Sequence, residues 1–126
     1  MSHYLLIAAG GALGAMARYG MGTAVQARVG SMAPVGTMSV NILGCLLMGI
    51  VAGGIGARVL THPHWRSFVA IGLLGGFTTF SSFGYETFAL VEDGRWDLAL
   101  MNVLVSTLAG LAALWIGVIL IRSLAS

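Results

Sequence analysis

The sequence predicts an all-α integral membrane protein, a single domain over residues 1–126 with four transmembrane helices, the third broken near its middle. Three observations carry this expectation. The 126 residues are 58% hydrophobic and only 8% charged, with a mean hydropathy of +0.96, whereas about a quarter of the residues in a soluble domain are charged. Four apolar segments, at 3–25, 34–59, 68–91 and 98–121, each reach the roughly 20 residues that a helix needs to cross a bilayer. Inside the third lies "GGFTTFSSFGYE" at 75–86, which interrupts the apolar run with glycines, hydroxyls and evenly spaced Phe where a lipid-facing helix wants none of them.

The first span begins like a secretory leader, with "AMA" at 15–17 resembling a cleavage site. The region before it carries no Lys or Arg, and apolar residues resume after Arg18, so it reads as a full-length span. Its Gly10, Gly14, Arg18 and Gly22 step by four along one face. Helices in lipid have no hydrophobic drive to associate and pack backbone to backbone through such small residues. With Gly at 19 positions, close helix contact leaves only a narrow path, most naturally at a subunit interface.

The second span opens on Pro34, whose missing N–H costs nothing in a first helical turn. The connections at 28–33, 58–67 ("RVLTHPHWRS") and 92–97 ("EDGRWD") carry the polar and turn-forming residues of loops. His62 and His64 read as solvated loop residues, and Cys45 as a small buried one. Trp65, Trp96 and Trp115 suit an interfacial belt. Four spans place both termini on one side, with Arg58, Arg66 and Arg122 there against Arg28 and Arg95 opposite, and Arg18 able to even the score. So weak a bias leaves orientation undecided by the positive-inside rule and suggests insertion both ways round.

Polar side chains within spans are where function is expected. Asn41, about two turns into the second span, is either interhelical glue or a pore donor. Asn102, Ser106 and Gly110 make a stripe at i+4 spacing on the fourth. Arg18 either snorkels to an interface or serves a path, and Glu86 is the one acid inside a span. In the third span, two glycines followed by β-branched Thr78 and Thr79 disfavour a continuous helix, so a break is predicted. Such a break is tolerated at membrane depth only when buried in protein or lining a polar path. Phe77, Phe80 and Phe83 recur at i+3, interleaved with the hydroxyls of Thr78, Thr79, Ser81 and Ser82. Ring edges are electropositive, and hydroxyls and amides donate protons. A small anion therefore suits this lining better than a cation does. No basic stripe points to nucleic acid, and no phosphate loop, metal-ligand cluster or nucleophile with a base points to an enzyme.

"GGALGAMARY" (10–19), "PVGTMSVNILG" (34–44), "GGFTTFSSFGYE" (75–86) and "NVLVSTLAG" (102–110) together resemble the four helix signatures of the Fluc, or CrcB, fluoride channels. The likeness spans nearly the whole chain, and its combination is specific where each piece alone is weak. The resemblance implies an antiparallel, dual-topology homodimer in a bacterial inner membrane, passing fluoride passively through two narrow pores at the dimer interface. By the same match Phe80 and Phe83 are the pore rings, Asn41 is the amide donor and Arg18 the vestibule base. Ser106 and Asn102 lie on a polar track, Thr79 and Ser82 supply hydroxyls, and Glu86 is an acid near the path. The backbone carbonyls of Gly75 and Thr78 would hold a central structural sodium ion. The rival readings are a small proton-coupled exporter of cationic drugs, which needs a carboxylate deep in a span, and a non-conducting structural subunit, which leaves the Phe and hydroxyl cluster without a purpose.

Overall fold

The computed structural model describes residues 2–126 and is helical almost throughout. Helix α1 (His3–Val29) is followed by α2 (Val35–Gly56). A bent third segment consists of a short turn α3 (Pro63–Trp65), a π-helical run Arg66–Leu74 and a second turn α4 (Gly75–Phe77). After two extended residues it continues as α5 (Phe80–Glu92), and α6 (Trp96–Ala125) closes the chain. By length and composition, Val35–Gly56, the bent Pro63–Glu92 and Trp96–Ala125 are apolar enough to cross a membrane. Helix α1 has the length, at 27 residues, but its glycines and Arg18 dilute its apolar character.

Most helix ends lie outside the expected spans because the apolar count measures what lipid can cover, whereas helical hydrogen bonding runs on until a local signal stops it. Helix α1 continues to Val29 and ends where Gly30 takes a left-handed φ of 64° and returns its N–H to the Gln26 carbonyl. The third segment starts within the expected loop, because the His62 side chain accepts from the His64 N–H and Pro63 occupies the first helical position. His62 is thus a cap as well as a loop residue, and the ring of His64 lies 4.4 Å from it, centroid to centroid. Helix α6 begins at a turn where Arg95 pairs with Asp97 at 3.0 Å, the carboxylate lying at the positive end of the helix.

Packing follows the glycines. On α1, a Cβ at Gly10 would collide with the Phe68 carbonyl and one at Gly14 with the Leu73 carbonyl, while Gly72 and Gly76 receive α1 in return. Farther along, Gly22 of α1 meets Gly36 of α2. Helices α2 and α6 mesh in the same way, Gly49 against Leu114 and Gly117 against Leu46. The ladder at 10, 14, 18 and 22 is therefore a contact face against the third segment and α2. Few large apolar side chains are buried, Leu74, Phe77 and Leu90 among them. Much of the outward surface, including Leu104, Leu108, Trp115 and Ile119, is apolar and exposed, as expected where lipid or another subunit covers it.

Gly14→Ala is expected to lower stability in detergent by about 1–3 kcal/mol through overpacking, whereas Gly20→Ala on the same helix, where a Cβ meets nothing within 4 Å, leaves it nearly unchanged. Thermal unfolding of the two variants checks the contrast.

Candidate functional site

The expected break lies at Thr78 and Thr79, which are extended, with φ/ψ of −84°/155° and −146°/121°. Two bonds close the helix on its upstream side, as the Thr78 N–H and its hydroxyl both donate to the Leu74 carbonyl at 3.0 Å. Downstream, Thr79 is the N-cap of α5, its hydroxyl accepting from the Ser82 N–H at 3.1 Å. Between these ends Asn41 substitutes for a neighbouring backbone. Its Oδ1 accepts from the Thr79 N–H at 2.8 Å and its Nδ2 donates to the Thr79 carbonyl at 2.9 Å, the reciprocal pair that an adjoining strand would supply. Arg18 supports the break from the other side, with Nε donating to the freed Gly76 carbonyl at 3.2 Å. The carbonyls of Gly75 and Thr78 receive no hydrogen bond from any described residue.

Helix α2 meets the break along one stripe. Thr37, Asn41 and Gly44 fall at i, i+4 and i+7, the spacing of a single helical face. Thr37 donates to Glu86 Oε1 at 2.8 Å and Asn41 holds Thr79. Gly44 leaves room for Thr78, whose methyl a Cβ there would strike. Sequence reasoning singled out Asn41 alone; Thr37 and Gly44 were missed, although their shared spacing with Asn41 was the available signal.

Two cavities adjoin the break, and Thr79 lines both. The first, of about 230 Å³, is polar and lined by Arg18, Gln26, Thr37, Ser82 and Glu86. Oε2 of Glu86 is buried and has no hydrogen-bond partner among the described residues. The second, of about 380 Å³, is lined by Asn41, Phe80, Phe83, Ser106 and Thr107, with Cys45 on its wall. Here the evenly spaced Phe residues part company. Phe77 is core at 7% exposure, whereas Phe80 is 83% exposed and stands beside Phe83 with ring centroids 5.6 Å apart and planes tilted by 35°. The two extended residues between Phe77 and Phe80 break their helical register.

The structure therefore brings Arg18, Thr79, Ser82 and Glu86 to one cavity and Asn41, Phe80, Phe83 and Ser106 to the other. Asn102 stands behind the wall, fully buried at 0% exposure, and lines neither cavity. Several donors facing the second cavity are already committed: the Thr78 hydroxyl to Leu74, Ser106 to Asn102, and one Asn41 N–H to Thr79. The second Asn41 N–H and the ring edges carry no such commitment. Ring edges are electropositive and an amide N–H donates, so these are the groups of the second cavity left free to meet an anion.

Residues 5–118 match the family described as CrcB-like protein, Camphor Resistance (CrcB). The chain is 49% identical over 119 residues to a fluoride-specific ion channel FluC of Solibacter usitatus, covering 94% of this chain and 98% of the relative. To fluoride-specific ion channel FluC 2 of Symbiobacterium thermophilum it is 48% identical over 111 residues, 88% and 90% of the two chains. With the Coxiella burnetii FluC it shares 46% identity over 121 residues, covering 95% and 98%.

Asn41→Ala orphans the Thr79 N–H and carbonyl together, at about 1–3 kcal/mol for each group. Asn41→Asp keeps the acceptor but sets a second oxygen against the Thr79 carbonyl. Both variants are expected to unfold well below the parent temperature in detergent, and a melting temperature within a degree or two of the parent would contradict the clamp.

Proposed function

The chain belongs to the CrcB-like family, and from that premise we propose that it is a fluoride-selective channel of the membrane, carrying the ion passively and performing no catalysis. The observation that carries the reading is the second cavity, where the rings of Phe80 and Phe83, the Asn41 amide and the Ser106 hydroxyl meet at a helix break. Fluoride holds its water tightly, so an apolar pore rejects it and only closely placed donors can replace its shell. The ring edges of Phe80 and Phe83 and the free Asn41 N–H supply such donors, and the wall hydroxyls join them only by leaving their internal acceptors, with no fixed positive charge to trap the ion. Chloride is larger and is excluded by the bore. The first cavity, with Arg18, Thr79, Ser82 and Glu86, forms the approach, where Arg18 offers attraction while one of its nitrogens remains tied to Gly76.

Our reading extends to the assembly. All four long segments span the membrane, α1 included, with the third bent at 78–79. Phe80 is too exposed for a finished pore wall, which supports a second copy closing it, and the near-even distribution of Arg across the membrane supports an antiparallel, dual-topology pair with two pores. The unpaired Gly75 and Thr78 carbonyls fit a hard cation, which binds oxygen ligands; a sodium ion shared by the two copies there would join the subunits and supply a positive field between the pores. A bacterial inner membrane is the setting in which such a channel relieves cytoplasmic fluoride. The exporter reading is not favoured, since the curated relatives are named ion channels.

Liposomes carrying the purified protein are expected to release fluoride rapidly and electrogenically, with chloride retained and no pH gradient needed. Proton-coupled movement of an organic cation without fluoride flux would overturn the assignment. Phe80→Ile and Phe83→Ile keep bulk but remove the ring edge, and each is expected to reduce fluoride efflux at least tenfold while assembly survives. Undiminished efflux in both would refute ring-edge coordination.

A further inference from the structure

Behind the wall that carries Ser106 lies a chain of three side chains whose protons point one way. Thr87 Oγ1 donates to the Phe83 carbonyl at 2.7 Å, Asn102 Nδ2 donates to Thr87 Oγ1 at 2.9 Å, and Ser106 Oγ donates to Asn102 Oδ1 at 3.2 Å. Each assignment forces the next. A hydroxyl has a single proton, and that of Thr87 is spent on the carbonyl one turn back. The Thr87 oxygen can then only accept, so the Asn102 carboxamide must present its NH₂ to it. The amide oxygen consequently faces Ser106, which has to donate. Asn102 is fully buried, so solvent offers the amide no alternative partner.

We propose that Thr87 and Asn102 set the direction of the Ser106 hydroxyl, so that at rest Ser106 turns oxygen lone pairs, and not its proton, towards the conduction cavity. Asn102 is the positioning residue; it reaches the ion only through Ser106. This inference rests on the fluoride-channel reading and assigns one of its wall groups a resting state. Of the three bonds, Ser106 to Asn102 is the longest, beyond the roughly 2.7–2.8 Å usual between two oxygens, and so it yields most readily. An anion in the cavity competes with Asn102 Oδ1 for one proton, and Ser106 is a two-position rotor whose donor is withheld until an ion has shed enough water to claim it. The amide thereby weakens fluoride binding in the cavity, which favours exit.

Two experiments test this. In the first, fluoride currents are compared for the parent, Asn102→Leu, Ser106→Ala and the double variant. Removing the resting acceptor is expected to lower the half-saturating fluoride concentration about fivefold, one ordinary hydrogen bond's worth, when Ser106 is present, and to change it less than twofold in the Ser106→Ala background. An equal shift in both backgrounds, a shift of opposite sign, or none overturns the proposal. The second is independent of flux. The chain has two Asn residues, Asn41 and Asn102, so ¹⁵N-asparagine labelling in micelles isolates their carboxamides. Proton exchange of the Asn102 NH₂ is expected to accelerate more than tenfold in Thr87→Val and to stay slow in Thr87→Ser. Unchanged exchange in Thr87→Val overturns the relay. Parent liposomes that pass no fluoride would instead end the channel reading, leaving the amide exchange to decide the hydroxyl direction alone.

Discussion

A helix that opens inside a membrane must find a partner for the backbone groups it frees, because lipid offers none, and the rest of the structure is arranged around that constraint. Two neighbours and one side chain of the break itself meet it around Thr78 and Thr79. Asn41 from α2 pairs with both sides of Thr79, Arg18 from α1 takes the Gly76 carbonyl, and the Thr79 hydroxyl caps the helix that follows. Removing any of them leaves a peptide group of the break without its protein partner. The break is thus a tertiary feature, held in place by α1 and α2.

Short side chains reach a backbone only if the helices carrying them approach closely, which is the physical reason for the glycines. Gly10 and Gly14 let the third segment settle onto α1, which places the Arg18 stem one turn further along within reach of Gly76. Gly44 does the same for α2, admitting Thr78 beside the residue that clamps Thr79. Packing and polar satisfaction are consequently coupled. A methyl group on the contact face would shift the helix axes and lengthen hydrogen bonds elsewhere, in a solvent that cannot replace them. The many glycines and the few internal polar residues are two parts of one design.

Much of this was legible in the amino-acid sequence. Composition identified the membrane, the apolar runs located the helices, and Gly-Gly-Phe-Thr-Thr marked the stretch that breaks, because glycines and β-branched residues share a local preference strong enough to read. What sequence could not convey was direction and depth. Asn102, Ser106 and Gly110 share a face by periodicity, yet a stripe does not say which member reaches the cavity, and burial of Asn102 depends on Thr87 arriving from another helix. Phe77, Phe80 and Phe83 look equivalent at i+3 until the extended residues between the first two turn Phe77 inward. Asn41 was weighed as glue or as a donor, and its geometry serves the first purpose while leaving an N–H for the second.

That double duty bears on how a channel can bind an ion that clings to water and still let it go. A site built from an uncommitted guanidinium and several free hydroxyls would replace the hydration shell generously and hold fluoride too firmly to conduct. In the pathway we propose, Arg18 is tied to a carbonyl, the Thr78 and Ser106 protons have internal acceptors, and Asn41 has spent half its amide on Thr79. In the proposed pathway each of these committed donors is gained by the ion only when withdrawn from a protein acceptor, so the net gain from such a contact is the difference between two hydrogen bonds. The ring edges of Phe80 and Phe83 have no such competitor and are individually weak. A wall of this kind gives many small and nearly balanced exchanges along the path, the energetic profile under which a strongly hydrated anion can be stripped without being trapped.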